Sequence, residues 1–179
     1  MTAPDVRNMV GLVAWLGVIA HALAQSPSLA PNVVEISPRL VTSGQPPAES
    51  LANLKALGFE AVIYLAPPTV HDAVRDEPLI VTRQGLTFVN IPIRFDAPTE
   101  ADFETLAGVL TGLGNRKVLV HCQINLRASS MVFLYRAIVL KEDPRIAYGA
   151  VTRVWQPDPA WRRLLEDQLR KHKIAFELF

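Results

Sequence analysis

The chain has 179 residues, half of them apolar and a fifth charged, with a formal net charge of +1 and one cysteine. That composition describes a globular body large enough for one ordinary domain whose core needs no disulfide or metal staple, and it excludes an extended disordered chain. Balanced charge, with no basic tract interleaved with aromatics, argues against a nucleic-acid partner.

At the amino end, Met9–Ile19 is almost wholly apolar and follows Arg7, and Ala22-Leu23-Ala24 then supplies a small-x-small cleavage pattern. The reading is a signal peptide over 1–24, a single domain over 25–179, and export to the periplasm or medium. The apolar run is shorter than the roughly 20 residues a membrane span needs, so no stable span remains after cleavage. An uncleaved anchor and a buried helix are the alternatives. In an oxidising compartment the lone Cys122 has no intramolecular partner.

Beyond the leader, Val33–Ile36 and Leu40–Thr42 are short β-prone runs, a two-stranded entry, followed by the turn Gly44-Gln45-Pro46-Pro47. Leu51, Leu54 and Leu57 share one face of a first helix that stops at Gly58. Ala61–Leu65, between Gly58 and Pro67-Pro68, is a buried strand. Glu77–Gln84 is helical after a variable segment. Leu86–Ile93 is the next strand, with Pro92 marking where its ladder stops or becomes an edge. Thr99 caps a helix with a buried stripe of Phe103, Leu106, Leu110 and Leu113. Lys117–Val120 is a further buried strand. Arg127–Leu140 is apolar nearly all round and should be a central helix. Helices over Arg145–Trp155 and Pro159–Lys171 close the domain, the last with a solvated basic face. Strands alternating with helices imply an α/β fold: a mostly parallel central sheet of four or five strands flanked by helices in three layers. Sites in such sheets lie beyond the carboxyl ends of the strands.

That places the chemistry at Val118-Leu119-Val120-His121-Cys122-Gln123-Ile124-Asn125-Leu126-Arg127-Ala128-Ser129. A buried strand runs into a tight loop and then into an apolar helix, so loop N–H groups and the helix N-terminus converge on a small volume suited to an anion. The same field favours the thiolate of Cys122, its nucleophilic form. Arg127 adds a planar, permanently charged fork for two phosphate oxygens. Gln123, Ile124, Asn125 and Leu126 form the rest of the phosphate cradle. Ser129 is placed to donate to the sulfur, and His121 to order the loop. Asn125 tolerates the positive φ that glycine would otherwise supply.

These residues resemble the phosphate loop of the protein tyrosine phosphatase superfamily, in its small bacterial dual-specificity-like branch. The entry Leu40-Val41-Thr42-Ser43-Gly44-Gln45-Pro46 and the strand Ala61-Val62-Ile63-Tyr64-Leu65 are similar to that branch as well. The resemblance implies phosphomonoester hydrolysis through a phosphocysteine, without metal or cofactor, on a phosphorylated protein or a small phosphomonoester. It also implies an aspartic general acid on the loop after the strand preceding the phosphate loop, where Asp96 stands. Asp102 and Glu100, then Asp72 and Asp76, are weaker candidates. The usual loop has five residues between Cys and Arg, and this one has four. That spacing also resembles rhodanese-type sulfurtransferases, and a non-catalytic phosphate-binding module is a third reading.

Overall fold

The computed structural model describes residues 29–179; the expected leader at 1–24 lies outside them. The sheet begins with a hairpin. β1 (Val34–Ser37) and β2 (Leu40–Ser43) pair antiparallel, with a bulge between Glu35 and Ser37. Each later strand arrives by a crossover, so β3 (Ala61–Tyr64), β4 (Thr87–Asn90) and β5 (Val118–His121) all run parallel to β2. The spatial order β1-β2-β5-β3-β4 puts β5 in the middle, between β2 and β3. The chain therefore has the α/β architecture expected of it, a five-stranded, mostly parallel sheet flanked by helices.

Alternation along the strands sorts the core into two layers. Val41, Leu119 and Val62 sit side by side in register and pack with Leu51, Leu54 and Val81 beneath α1 (Ala48–Ala52) and α2 (Glu77–Thr82). Their neighbours Leu40, Val118, Val120, Ala61 and Ile63 face the larger layer. That layer is built from α3 (Glu100–Leu113), α4 (Leu126–Leu134), α5 (Pro144–Thr152) and α6 (Pro159–Lys171). The central position expected for the apolar helix is met: every residue of α4 from Arg127 to Leu134 is buried.

Three elements differ from their sequence outlines. The first helix makes little more than one turn, and Leu57 is half exposed although Leu51 and Leu54 are fully buried. Gly58 reverses the chain at φ 81°, a conformation that costs glycine least. β4 is four residues instead of eight, because Pro92 has no N–H to continue a ladder. The chain still follows β3, through Ile91 N–H to the Tyr64 carbonyl and Ile93 N–H to the Leu65 carbonyl, at 2.9 and 3.1 Å. The helix expected to reach Leu140 is α-helical only to Leu134 and continues as a π-helical turn, Tyr135–Val139. There the Arg136 fork meets Glu142 and the Ala147 carbonyl.

Candidate active site

At the carboxyl ends of β2, β3 and β5 lies a cavity of about 410 Å³. Cys122 and Arg127 line it together with Gln123, Ile124, Leu126, Phe95, His71 and Asp72. The loop over Cys122 is shaped from outside. Gln45 N–H donates to the Gln123 carbonyl at 2.9 Å, and the Asn32 amide donates to the Ile124 carbonyl at 3.0 Å. With those carbonyls turned outward, the N–H groups of Gln123 and Ile124 have no backbone partner among the described residues. Gly44 permits the approach: a Cβ there would stand 2.8 Å from the Gln123 oxygen.

Asn125 closes the four-residue loop. It takes φ 73°, a left-handed conformation, and caps α4 with its backbone. Its buried amide donates to the Asn32 carbonyl at 2.6 Å and to Thr42 Oγ1 at 3.1 Å, so the strained residue is also tied to the entry strand. The chain then enters α4, whose free first-turn N–H groups face the loop.

Arg127 is 5 % exposed and held on three sides. Its Nε donates to the Ile93 carbonyl at 3.0 Å, its guanidinium lies 5.1 Å from the centre of the Phe95 ring, and Nη1 donates to Gln123 Oε1 at 3.3 Å. The early end of β4 matters here, because it leaves the Ile93 carbonyl free to orient the arginine. Phe95 is fixed in turn by Trp155 and Trp161, and its carbonyl accepts from Trp161 Nε1. With Nε held by Ile93 and Nη1 by Gln123, Arg127 lines the cavity.

Behind Cys122 runs a buried polar chain. His121 Nε2 is 2.6 Å from Glu77 Oε1, and Gln45 Nε2 donates to Glu77 Oε2 at 2.8 Å. His121 and Glu77 are almost fully buried. The Tyr64 ring stacks on His121 at 4.8 Å. Burial first, then the charges of Glu77, Asp72 and Cys122, push the Tyr64 phenol well above the usual tyrosine range. The sequence reading expected His121 to order the loop and missed its partner, Glu77. A lone glutamate at the start of a predicted helix carries no signal that it will be buried beneath a loop 45 residues later.

Of the expected site residues, the fold brings Cys122, Gln123, Ile124, Leu126 and Arg127 to one cavity, with Asn125 buried behind them. Ser129 stands apart: its hydroxyl donates to the Leu126 carbonyl at 3.2 Å, as hydroxyls in a first helical turn often do. Asp96 is also not brought in. Arg94, two residues upstream, takes its carboxylate at 2.7 Å on an exposed surface, and the bond from Arg94 holds that carboxyl below the usual carboxylate range. Asp102 completes a capping box with Thr99. Asp72, ranked low from sequence, reaches the cavity and accepts from Gln123 Nε2 at 2.9 Å.

A family model described as a DSP-PTPase phosphatase fused to NAD+ kinase matches residues 25–171. A crystal structure of a candidate phosphatase (DUF442) from Shewanella putrefaciens CN-32 is 30% identical, with a TM-score of 0.74 over 80% of this chain and 92% of that one. TpbA from P. aeruginosa, solved in complex with pTyr, shares the fold at 22% identity and a TM-score of 0.59, over 84% and 89% of the two chains. A curated beta-lactamase hydrolase-like protein of Xylella fastidiosa (strain Temecula1) is 31% identical over 127 residues, 66% of this chain. The chain spans 28% of that relative's length.

Proposed function

The chain belongs to the dual-specificity-type branch of the protein tyrosine phosphatase superfamily, and from that premise we propose that it hydrolyses phosphomonoesters through a phosphocysteine intermediate. One observation carries the proposal: Cys122 bounds the same small cavity as the loop residues Gln123, Ile124 and Leu126 and as Arg127. A phosphoryl group seated there has its oxygens among donors while its phosphorus faces sulfur. Cys122 Sγ attacks phosphorus, the ester oxygen leaves with a proton, and water then cleaves the S–P bond to release phosphate. Arg127, its Nε held by Ile93, turns its terminal nitrogens to the transferring oxygens, and because its orientation is set in advance little rearrangement is needed. Phe95, Leu126 and Ile124 give the cavity apolar walls suited to an aryl or protein-borne ester. The substrate class is a phosphorylated protein or a small phosphomonoester.

Hydrolysis of a generic aryl phosphate, with and without vanadate, tests this beside a thiosulfate sulfurtransferase assay. Vanadate-sensitive turnover is expected, with Cys122→Ser abolishing it while vanadate still binds. Arg127→Lys should lower kcat/KM about 100-fold or more, since an ammonium replaces neither the fork nor the bond to Ile93. Near-normal turnover by Cys122→Ser, or thiocyanate formation by the wild type without phosphate release, overturns the proposal.

A further inference from the structure

Resting on that reading, we propose that Asp72, on the segment between β3 and α2, is the carboxyl that protonates the leaving oxygen and later takes a proton from water. A phosphoester with a poor leaving group needs such an acid, positioned within hydrogen-bond reach of the ester oxygen. The other acids near the site are engaged elsewhere. Glu77 is buried and spent on His121 and Gln45. Asp102 is spent on the cap of α3. The Asp96 side chain is 72 % exposed and bound to Arg94. Asp72 is the carboxylate among the residues lining the cavity of Cys122 and Arg127, and its side chain is two-thirds withdrawn from solvent.

Its connection to the arginine is direct. The Gln123 amide donates to Asp72 Oδ1 and accepts from Arg127 Nη1, so the width of one amide separates the acid from the fork. A phosphate oxygen arriving at Nη1 takes the place of the Gln123 oxygen. The exchange is favourable, because an anionic acceptor makes a bond roughly twice as strong as a neutral one. Losing its hold on Arg127, Gln123 swings away and leaves Asp72 beside the incoming ester. Asp72, Gln123 and Ile124 also border a second cavity of about 690 Å³, which extends toward Asn32, Pro46 and Pro47. A substrate with its phosphoryl group over Cys122 and its remainder in that groove must carry its ester oxygen past Asp72.

In the first step the bond between Cys122 Sγ and phosphorus forms, the P–O bond breaks, and the Asp72 proton passes to the leaving oxygen. In the second, water attacks phosphorus, its proton passes to the Asp72 carboxylate, and the S–P electron pair returns to sulfur. The charged and titratable groups facing Asp72 are His71 on its own segment, with Nδ1 at 3.8 Å, Tyr64 from β3, Cys122 from the phosphate loop and Arg127 from α4.

The test compares Asp72→Asn with Asp96→Asn in the full chain, on aryl phosphates with poor and good leaving groups across pH. With the poor leaving group, Asp72→Asn should lower kcat by roughly 10²–10⁴, the usual contribution of a positioned acid, and abolish the alkaline limb of the rate profile. The loss should shrink with the good leaving group, and vanadate affinity should stay within a few-fold, which also reports an intact cradle. Asp72→Asn that retains wild-type kcat on the poor leaving group overturns the proposal, as does the same loss in Asp96→Asn with Asp72→Asn unaffected. Either result leaves Cys122-dependent turnover standing, so this proposal and the phosphatase reading fail separately.

Discussion

Asn125 is where the four-residue loop between Cys122 and Arg127 is made to close. A left-handed residue is needed to aim the chain into α4, and for a residue with a Cβ that conformation costs about 1–2 kcal/mol. Asn125 offsets the cost with side-chain hydrogen bonds to Asn32 and Thr42, the second of them buried, which glycine could not make. Asn125→Ala should therefore lose both bonds and keep the strain, destabilising the fold by about 2–4 kcal/mol. Asn125→Gly loses the bonds but also sheds the strain, and should fall less. Urea unfolding of the two variants measures the difference, and an alanine variant as stable as the glycine one would contradict the account. At the same scale Asn125 holds the loop shape, and Gln123 bridges Asp72 to Arg127, whose Nε is held by the Ile93 carbonyl.

Among elements, the sheet and α2 meet at the buried chain Gln45–Glu77–His121, which ties the turn after β2 and the start of α2 to the end of β5 directly behind Cys122. Breaking a buried pair by removing one partner leaves the other unsatisfied and costs about 3–5 kcal/mol. Glu77→Ala should show that loss in thermal or chemical unfolding. It should also loosen the phosphate loop, because Gln45 N–H holds the Gln123 carbonyl. Glu77→Gln keeps the shape and one acceptor and should cost less. If Glu77→Ala unfolds like wild type, the chain is not a structural support. The same logic explains the Ser43-Gly44-Gln45-Pro46 turn: Gly44 clears the way for the loop, and Gln45 grips it by backbone while its side chain holds Glu77.

At the scale of the whole molecule, the two layers of core enclose phenols whose ionisation opposes the fold. Burial raises Tyr148 above the ordinary tyrosine range, and burial with neighbouring negative charge raises Tyr64 further. In the unfolded chain both lose their protons near pH ~10. Above that pH the unfolded state binds fewer protons than the native state, so stability falls as pH rises. Below it both states keep the protons, and the contribution is fully present. Phenolate absorbance should show these two tyrosines ionising only as the protein unfolds in alkali, and the midpoint for denaturant unfolding should drop steeply there. Reversible titration of every tyrosine in the ordinary range, with the fold intact, would falsify the buried placement of Tyr64 and Tyr148.

What the sequence by itself determined was everything written in local pattern. Alternating strands and helices, with apolar runs such as Ala61–Leu65 and Val118–Val120, specify a parallel sheet, because both faces of such a strand must be covered. The adjacency of Cys122, its loop and Arg127 is likewise local, since six consecutive residues carry all three. Contacts between distant segments were decided only by tertiary structure. Glu77 and His121 are 44 residues apart and Asp72 and Gln123 are 51 apart, and no periodicity marks either pair. Asp96, which the resemblance makes the expected acid, pairs in this structure with its neighbour Arg94 on an exposed surface. Asp72 stands in a segment without a legible pattern and is carried to the cavity by the crossover from β3 to α2. Backbone propensity and hydrophobic period act over a few residues, whereas the place of a charge in a site depends on which groups the packed sheet brings within hydrogen-bond reach.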